Sequence, residues 1–404
     1  MQLIFDSGQL PVGWNVKYLD ELCENLDSKR IPITKSSRKS GSIPYYGASG
    51  IVDYVADYIF DEDLLLVSED GANLLARTYP IAFSITSKTW VNNHAHVLRF
   101  KEKITQIFVE FYLNSISLES YVSGMAQPKL NQKSLNSIPI PIPPLPEQKR
   151  IVAILDEAFE GIDRAIRNTE KNLSNARELF ESYLNSIFSQ KGEGWEEKKL
   201  EDICEKVEYG SSAKSLAEGE IAVLRMGNIQ NGAIDWSNLV YTNDQEEINK
   251  YLLKYNDVLF NRTNSDEHVG KTAIYKGEMP AIFAGYLIKI HRKEELIDAD
   301  FLNFYLNSPI AREYGKSIMS RSVNQANING TKLKGYPISI PSLSIQKQIV
   351  KKLSFLRTET QRLESIYRQK IAALKELKQS ILQKAFTGEL TADKGEPAKE
   401  EIAA

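Results

Sequence analysis

Cysteine is almost missing from this chain: 404 residues carry two. Cys23 and Cys204 each stand nine residues after a tryptophan, Trp14 and Trp195, so they read as equivalent positions of a repeat and not as disulfide partners. A reduced, cytoplasmic setting is the expectation. An excess of one charge is missing too. A total of 50 Lys and Arg against 53 Asp and Glu leaves a net charge of −3, which excludes a global basic field. Any surface for nucleic acid would have to be local, or be completed by a partner. No apolar run approaches the length of a membrane span. The start, Met1-Gln2-Leu3-Ile4-Phe5-Asp6, has no basic segment leading into a long apolar one, so no signal peptide is expected.

Signatures of catalysis are absent as well. Gly-x-Ser-x-Gly, His-Glu-x-x-His and the Asn-Pro-Pro-Tyr type of tetrapeptide found in amino-methylating enzymes do not occur. Gly270-Lys271-Thr272 resembles the end of a phosphate-binding loop, but that pattern needs glycine where Ser265 stands, and Ala273-Ile274-Tyr275 reads as strand instead of helix. His94-Ala95-His96 puts two imidazoles on one strand face. With no third ligand at useful spacing, a strand with one polar face is the simpler reading, and no metal is expected. Acidic pairs such as Glu69-Asp70 and Asp266-Glu267 read as surface carboxylates. No residue is assigned a catalytic role.

What the chain does have is a duplication. Pro139-Ile140-Pro141-Ile142-Pro143-Pro144-Leu145-Pro146-Glu147-Gln148-Lys149-Arg150-Ile151-Val152 returns as Pro337-Ile338-Ser339-Ile340-Pro341-Ser342-Leu343-Ser344-Ile345-Gln346-Lys347-Gln348-Ile349-Val350, 198 residues later. The offset still holds at Glu178-Leu179/Glu376-Leu377, Leu184/Leu382 and Phe188/Phe386. Each half also begins alike, with Gly13-Trp14 and Gly194-Trp195, the tryptophans reading as packing anchors. Self-similarity at a fixed spacing outranks local motifs as a guide to architecture.

Between these anchors both halves read as β-rich. Short apolar runs such as Leu64-Leu65-Leu66-Val67 and Val258-Leu259-Phe260 alternate with turn signals such as Gly47-Ala48-Ser49-Gly50 and Asp70-Gly71. A helix-like segment follows in each, Phe108-Val109-Glu110-Phe111-Tyr112-Leu113-Asn114-Ser115 and Phe301-Leu302-Asn303-Phe304-Tyr305-Leu306-Asn307-Ser308. Polar loops, Met125-Ala126-Gln127-Pro128-Lys129-Leu130-Asn131 and Val323-Asn324-Gln325-Ala326-Asn327-Ile328-Asn329, lead into the prolines.

Those prolines impose extended backbone, and Pro146 suits a first helical turn. From there Ile151, Leu155, Ala158, Ile162, Thr169, Leu173, Ala176, Phe180, Tyr183 and Ile187 fall mostly three and four apart. Ile349, Leu353, Leu356, Leu363, Leu374, Leu377, Ile381 and Ala385 repeat the pattern. About 42 helical residues would span about 60 Å, too long for the interior of a small domain. Each apolar stripe needs a partner, and connectivity makes the other long helix that partner, running the opposite way. The expected fold is α+β: two similar β-rich domains separated by a pair of long antiparallel coiled-coil helices, related by a pseudo-two-fold. The boundaries are 1–146 for the first domain, 147–190 for the central helix, 191–344 for the second domain, 345–390 for the C-terminal helix and 391–404 for a disordered tail. Charge on the helices is uneven, −2 over 147–190 and +6 over 345–390, which suits a solvated face, a docked partner or a passing phosphate backbone.

Polar, aromatic and basic residues gather in the loops of the β-rich domains. In the first they include Lys35, Arg38, Lys39, Tyr45, Tyr46, Asn73, Arg77, Asn92, Asn93 and His94. In the second they include Arg225, Asn228, Gln230, Asn231, Asn261, Arg262, Asn264, Lys271 and Arg321. Arginine with guanine, and Asn or Gln with adenine, are the pairings that read base edges. Singly each is an ordinary loop residue; the argument rests on the collection occurring in both domains.

The chain resembles the specificity subunit of type I restriction–modification systems. Leu145-Pro146-Glu147-Gln148-Lys149-Arg150-Ile151-Val152 and the ending Leu382-Gln383-Lys384-Ala385-Phe386-Thr387-Gly388-Glu389-Leu390-Thr391 carry the resemblance. So do Ile43-Pro44-Tyr45-Tyr46-Gly47-Ala48-Ser49-Gly50, Glu69-Asp70-Gly71-Ala72-Asn73, Trp90-Val91-Asn92-Asn93-His94, Leu259-Phe260-Asn261-Arg262-Thr263-Asn264-Ser265 and Ala284-Gly285-Tyr286-Leu287, similar to pieces of target-recognition domains. The resemblance implies a non-catalytic subunit that binds no cofactor itself. Each target-recognition domain would read one half of a bipartite, asymmetric site in double-stranded DNA, and the helices would set the gap. Two methyltransferase subunits would bring S-adenosylmethionine, and restriction/translocase subunits would bring ATP and Mg. No membrane partner is implied. The rival reading is a two-headed coiled-coil scaffold for protein partners; a stand-alone DNA enzyme is disfavoured by the missing motifs.

Overall fold

The computed structural model describes residues 10–124, 126–190, 192–322 and 325–392. The N-terminal segment Met1-Gln2-Leu3-Ile4-Phe5-Asp6, the loop residues Met125, Val323 and Asn324, and residues 393–404 of the expected tail lie outside them. Backbone contacts divide the chain into two units, Met1–Thr169 with Gln369–Ala404, and Glu170–Arg368.

Both units are built to one plan. In the first, Asn15–Lys17, just after Trp14, pairs antiparallel with Ile140–Ile142 of the proline lead-in. In the second, Glu196–Lys199, just after Trp195, pairs antiparallel with Pro337–Ile340. The two motifs that recur in the sequence are therefore each other's partners. A ribbon of only two strands suits the prolines, which cannot donate to a ladder. The main sheet of the first unit runs in the order Cys23–Asn25, Ala95–Phe100, Leu64–Ser68, Ala82–Ile85; that of the second runs Cys204–Tyr209, Leu287–Arg292, Val258–Asn261, Thr272–Ile274. Leu64–Ser68 and Val258–Asn261 are buried at every position, which explains why they are unbroken apolar runs instead of alternating ones. A second sheet in each unit contains a parallel pair, Tyr45 opposite Trp90 and Ala222 opposite Ala281. The two cysteines open equivalent strands as free thiols, and burial pushes Cys23 up to about 12.

The long helices are Leu145–Ser189 and Leu343–Thr387, 45 residues each, and both ends keep the 198-residue offset. At about 1.5 Å per residue each is about 67 Å long. Among the described residues no helix is long and apolar enough to cross a membrane. In the first unit the helices pair antiparallel, with Lys378 bonded to Asp163 at 2.9 Å and Arg150 donating to the Thr391 carbonyl at 3.2 Å. In the second, Arg177 meets Glu364 at 3.1 Å, and Tyr183 shares a groove with Phe355 and Leu356. The expected seam differs at Leu377, which is 48% exposed, while Leu382 faces the core. Thr391, placed in the expected tail, is buried.

Each long helix ends on an aromatic pair. Phe386 lies 5.3 Å from Phe108 and 5.1 Å from Tyr112; Phe188 lies 5.3 Å from Phe301 and 5.4 Å from Tyr305. Those tyrosines in turn bond the first proline of the lead-in, Tyr112 to the Pro139 carbonyl at 2.7 Å and Tyr305 to that of Pro337. The helix starts are pinned by a repeated glutamine. Gln148, buried, donates to the Pro143 carbonyl at 2.9 Å and accepts from Thr105; Gln346, buried, donates to the Pro341 carbonyl at 2.8 Å and accepts from the Asp298 N–H. Phe386→Ala is expected to cost about 3–5 kcal/mol. Hydrogen exchange should show the lost protection in the first unit, around Lys103–Ser115, with Glu170–Arg368 retaining its own.

Candidate nucleic-acid interface

In the second unit a cleft of about 410 Å³ is lined by Arg225, Asn228, Gln230, Asn261, Asn264 and Lys271, six residues that the sequence singles out. It also takes in His268, Asn238 and Asp235, which sequence reasoning did not select. Arg225 follows the buried strand Ile221–Leu224; its backbone N–H donates to Asn228 Oδ1 at 2.9 Å and its guanidinium to the Asn238 carbonyl at 2.8 Å. Asn228 is buried and donates to the carbonyls of Asp235 and Ser237, so this side chain shapes the wall more than it projects from it. Asn264 accepts from the Ser265 N–H at 2.8 Å.

Asn261 is the unusual member. It ends the buried strand Val258–Asn261, is fully buried, and reaches the Met226 carbonyl with Nδ2 at 3.4 Å. Among the described residues its Oδ1 has no partner, nor does the buried Nδ1 of His268. An unpaired buried polar atom costs about 1–3 kcal/mol, and native proteins tolerate few. Asn261 lines a cleft that also presents guanidinium and amide groups, and its Oδ1 is itself shut off from solvent. Arg262 and Arg321 are not brought into it. Arg262 stacks 4.8 Å over Tyr209 and donates to the Gly285 carbonyl, and Arg321 pairs with Asp266 at 2.6 Å.

In the first unit, four loops are tied into one cluster. The Asn92 N–H donates to the Tyr46 carbonyl, Glu69 N–H to that of His94, Gly71 N–H to that of Pro128 and Leu130 N–H to that of Glu69. Ser68 Oγ donates to the Ala48 carbonyl. Asn92 is buried and accepts from the His94 N–H, leaving Asn93 and His94 exposed at the tip, with His94 Nδ1 2.9 Å from Asp70. Of the other residues singled out here, Tyr46 joins the cluster only through its carbonyl, and the rest lie apart. Tyr45 is buried and accepts from the Ile33 N–H; Arg38 stacks 4.3 Å over Tyr45 and pairs with Asp53; Lys35 is exposed. Tyr46 packs on Phe83, and Asn73 closes its own loop onto Tyr79. Arg77, in the left-handed region at φ 53°, donates to the carbonyls of Leu113 and Ile116, where a cation complements a helix C-terminus. Loop position is legible in a sequence; whether a side chain is already spent on the loop's own backbone is not.

The specificity-domain model, "Type I restriction modification DNA specificity domain", matches residues 11–173 and again 192–374. The chain belongs to this family. A putative type I restriction enzyme specificity subunit of Haemophilus influenzae is 30% identical over 361 residues, 86% of this chain and 88% of that one. The EcoKI specificity subunit of Escherichia coli is 25% identical, covering 96% and 91%. Among solved structures, a chain from a type I restriction–modification system superposes with a TM-score of 0.72 at 19% identity, covering 94% of this chain and 99% of that one. The HsdS subunit of Thermoanaerobacter tengcongensis gives 0.55 at 20%, covering 96% and 100%. The resemblance drawn from the proline lead-ins and the C-terminal motif therefore holds, and with it the α+β fold with two target-recognition domains. A type I specificity subunit is the non-catalytic component of its system.

The loop cluster of the subunit's first target-recognition domain rests on a buried charge network. His96, 1% exposed, places Nδ1 2.6 Å from Asp27 Oδ2 and Nε2 2.7 Å from the Leu130 carbonyl. Arg30 and Lys129 flank Glu69 at 2.7 and 3.2 Å. Asp27, Glu69 and His96 offer ligand atoms within 4.8 Å of one another, but both imidazole nitrogens are engaged and Glu69 is neutralised by cations, so the group works as an ion-pair network. Burial pushes the Asp27 carboxyl up, yet the hydrogen bonds from His96 and the Val97 N–H, with the nearby Arg30 charge, hold it below the ordinary range. Glu69 is likewise held low, where Arg30, His96 and Lys129 outweigh burial. Depressed carboxyls contribute stability above their unfolded pKa and lose it as pH falls through the folded one. Asp27→Asn should therefore destabilise the first unit by about 1.5–3 kcal/mol at neutral pH. Denaturant titrations should show that difference shrinking as pH falls below about 4.

Proposed function

We propose that each target-recognition domain reads one half of a bipartite, asymmetric site in double-stranded DNA, and that the long helices set the unread gap between the halves. The cleft of the second unit carries this reading: Arg225, Gln230, Asn264 and Lys271 supply donors, and Asn261 Oδ1 supplies an acceptor with no protein partner. An exocyclic base amine would satisfy that acceptor once the side chains covering it part on binding, and Asn, Gln and Arg are the side chains that read base edges. The family description, a DNA specificity domain, agrees with this chemistry. Because the loops of the two domains differ, their half-sites differ.

In the same proposal two methyltransferase subunits, carrying S-adenosylmethionine, dock on the chain and methylate adenine, and restriction/translocase subunits add ATP, Mg and cleavage, all in the cytoplasm. Support for docking comes from apolar side chains left on the helices. Leu179 is 68% and Phe355 65% exposed, and Leu377, which is Leu179 carried forward by the repeat, is 48% exposed. The repeated position, Leu179 in one unit and Leu377 in the other, suits one partner per unit, with Phe355 a further exposed side chain in the second. The same side chains would suit a two-headed protein scaffold. A pull-down of DNA fragments by the reconstituted methyltransferase complex separates the two, since a scaffold would enrich no sequence.

Asn261→Leu removes the unpaired oxygen, so the free protein should melt at the same temperature or higher. Specific DNA binding by the complex should fall by about 1–3 kcal/mol, with the preference lost in one half-site only. Unchanged specificity would take Asn261 out of base reading. Inserting one heptad in each long helix, after Thr169 and after Arg368, adds about 10 Å of rise, or about three base pairs. Mapping methylated adenines should then show a gap longer by about three base pairs between unaltered half-sites; altered half-sites with the old gap would sink the ruler.

A further inference from the structure

A second cavity of the Glu170–Arg368 unit, about 500 Å³, lies between the Asn231-Gly232 turn, the helix Ala299–Asn307 and that unit's stretches of the long helices. Five cations line it, Arg177, Lys271, Arg312, Arg357 and Arg368, against two carboxylates, Glu181 and Glu364. Most of this charge is already engaged. Glu364 takes Arg177 at 3.1 Å and Arg368 at 2.8 Å, and Arg312 donates to the Glu267 carbonyl at 3.3 Å. Two cations are left over. Arg357 lies 4.9 Å over the Phe304 ring, and among the described residues the side chain of neither Arg357 nor Lys271 makes a hydrogen bond or an ion pair.

The cavity's inner corner is kept open by a glycine. Gly232 adopts φ +78°, which disfavours a side chain, and a Cβ there would sit 3.4 Å from Asn303 Nδ2, 3.5 Å from Arg357 Nη1 and 3.6 Å from Asn307 Nδ2. Of these three N–H-bearing groups the two amides are already engaged, Asn303 Nδ2 with the Gly232 carbonyl at 2.8 Å and Asn307 Nδ2 with Thr272, so Arg357 brings the uncommitted donors to this corner, and no acid stands among the three. Burial disfavours the charged forms of both Arg357 and Lys271, and for Lys271 the nearby Arg312 adds to the effect; Asp300 and Glu267 offset this only in part. An anion would relieve both, as opposite charge does for a desolvated cation. A single carboxylate would be matched by Arg357 alone, whereas a tetrahedral oxyanion takes donors from several directions at once.

We propose that this cavity binds a phosphate group, held between Arg357 and Lys271 in the corner that Gly232 leaves open. Lys271 also lines the cleft proposed to read bases, so a phosphodiester of a strand lying in that cleft is one source. A free phosphate compound is the other. The first source rests on the DNA reading above; the phosphate chemistry does not.

Two measurements on the full chain distinguish them. Titrated with inorganic pyrophosphate in phosphate-free buffer, the chain should melt at a higher temperature if free phosphates enter, and Arg357→Gln and Lys271→Gln should abolish the shift. In the reconstituted complex on DNA, Arg357→Gln should weaken binding to all sequences alike. It should also flatten the slope of log affinity against log salt by about one, with base preference retained and Arg357→Lys restoring the slope. Either result supports the site and names its source. If Arg357→Gln does not fold, Lys271→Gln carries the pyrophosphate titration and the salt slope, and retained base preference is expected of Arg357→Lys alone, because Lys271 also lines the base-reading cleft. A complex that still reads its sequence but shows neither effect overturns the phosphate site alone. A complex with no sequence preference overturns the DNA reading, while the pyrophosphate titration still decides the cavity.

Discussion

The structure depends on the docking of each long helix's last turn against an aromatic pair. Phe188 meets Phe301 and Tyr305, and Phe386 meets Phe108 and Tyr112, in T-shaped contacts between 5.1 and 5.4 Å. Edge-to-face rings add about 0.5–1.5 kcal/mol per pair beyond the apolar area they bury. The consequence is larger than the energy. The same tyrosines bond the carbonyls of Pro139 and Pro337, so the residues that receive the end of one long helix also hold the lead-in to the other. The first unit's core is completed by Leu382, Ala385 and Phe386, from the far end of the chain. A chain whose first core needs its last helix cannot finish folding that core until the last helix is made.

Above this frame the loops are free to differ, and they do. In the second unit the buried strand end carries Asn261, whose amide leaves one oxygen without a protein partner; in the first, the loop beyond the corresponding strand carries Glu69, locked between Arg30 and Lys129. A fixed frame with variable loops suits the proposed reading of two unlike half-sites, because changing the loops does not disturb the core. The polar residues divide by the same logic. Arg77, Tyr45 and Asn228 are spent on backbone carbonyls and N–H groups nearby; Gln230 and Asn264, on the cleft wall, each bond one neighbouring backbone group, of Gly227 and Ser265, while the Lys271 side chain on that wall bonds none among the described residues.

Two residues show where sequence reasoning stopped. Asn303 and Asn307 sit four apart within an apolar helical segment, a signal that something polar must be satisfied there. Asn307 bonds the backbone of Thr272, as Asn114 bonds that of Ala82 in the first unit. The spacing shows that a polar pair faces inward, but not that it faces a cavity shared with Arg357, which lies 50 residues and more along the chain.

The amino-acid sequence by itself determined the duplication, the α+β class, the presence of two long helices, the likeness of the two halves and the absence of a catalytic signature. All of these follow from local periodicity, from proline's fixed backbone and from a repeat spacing that needs no coordinates. Tertiary structure alone decided which loop residues share a cleft, that Leu377 turns outward while Leu382 turns in, and that Asn261 keeps an unpaired oxygen. Those outcomes depend on hydrogen bonds and packing between segments tens of residues apart, where one neighbouring carbonyl separates a side chain free to read a base from one that only holds its loop.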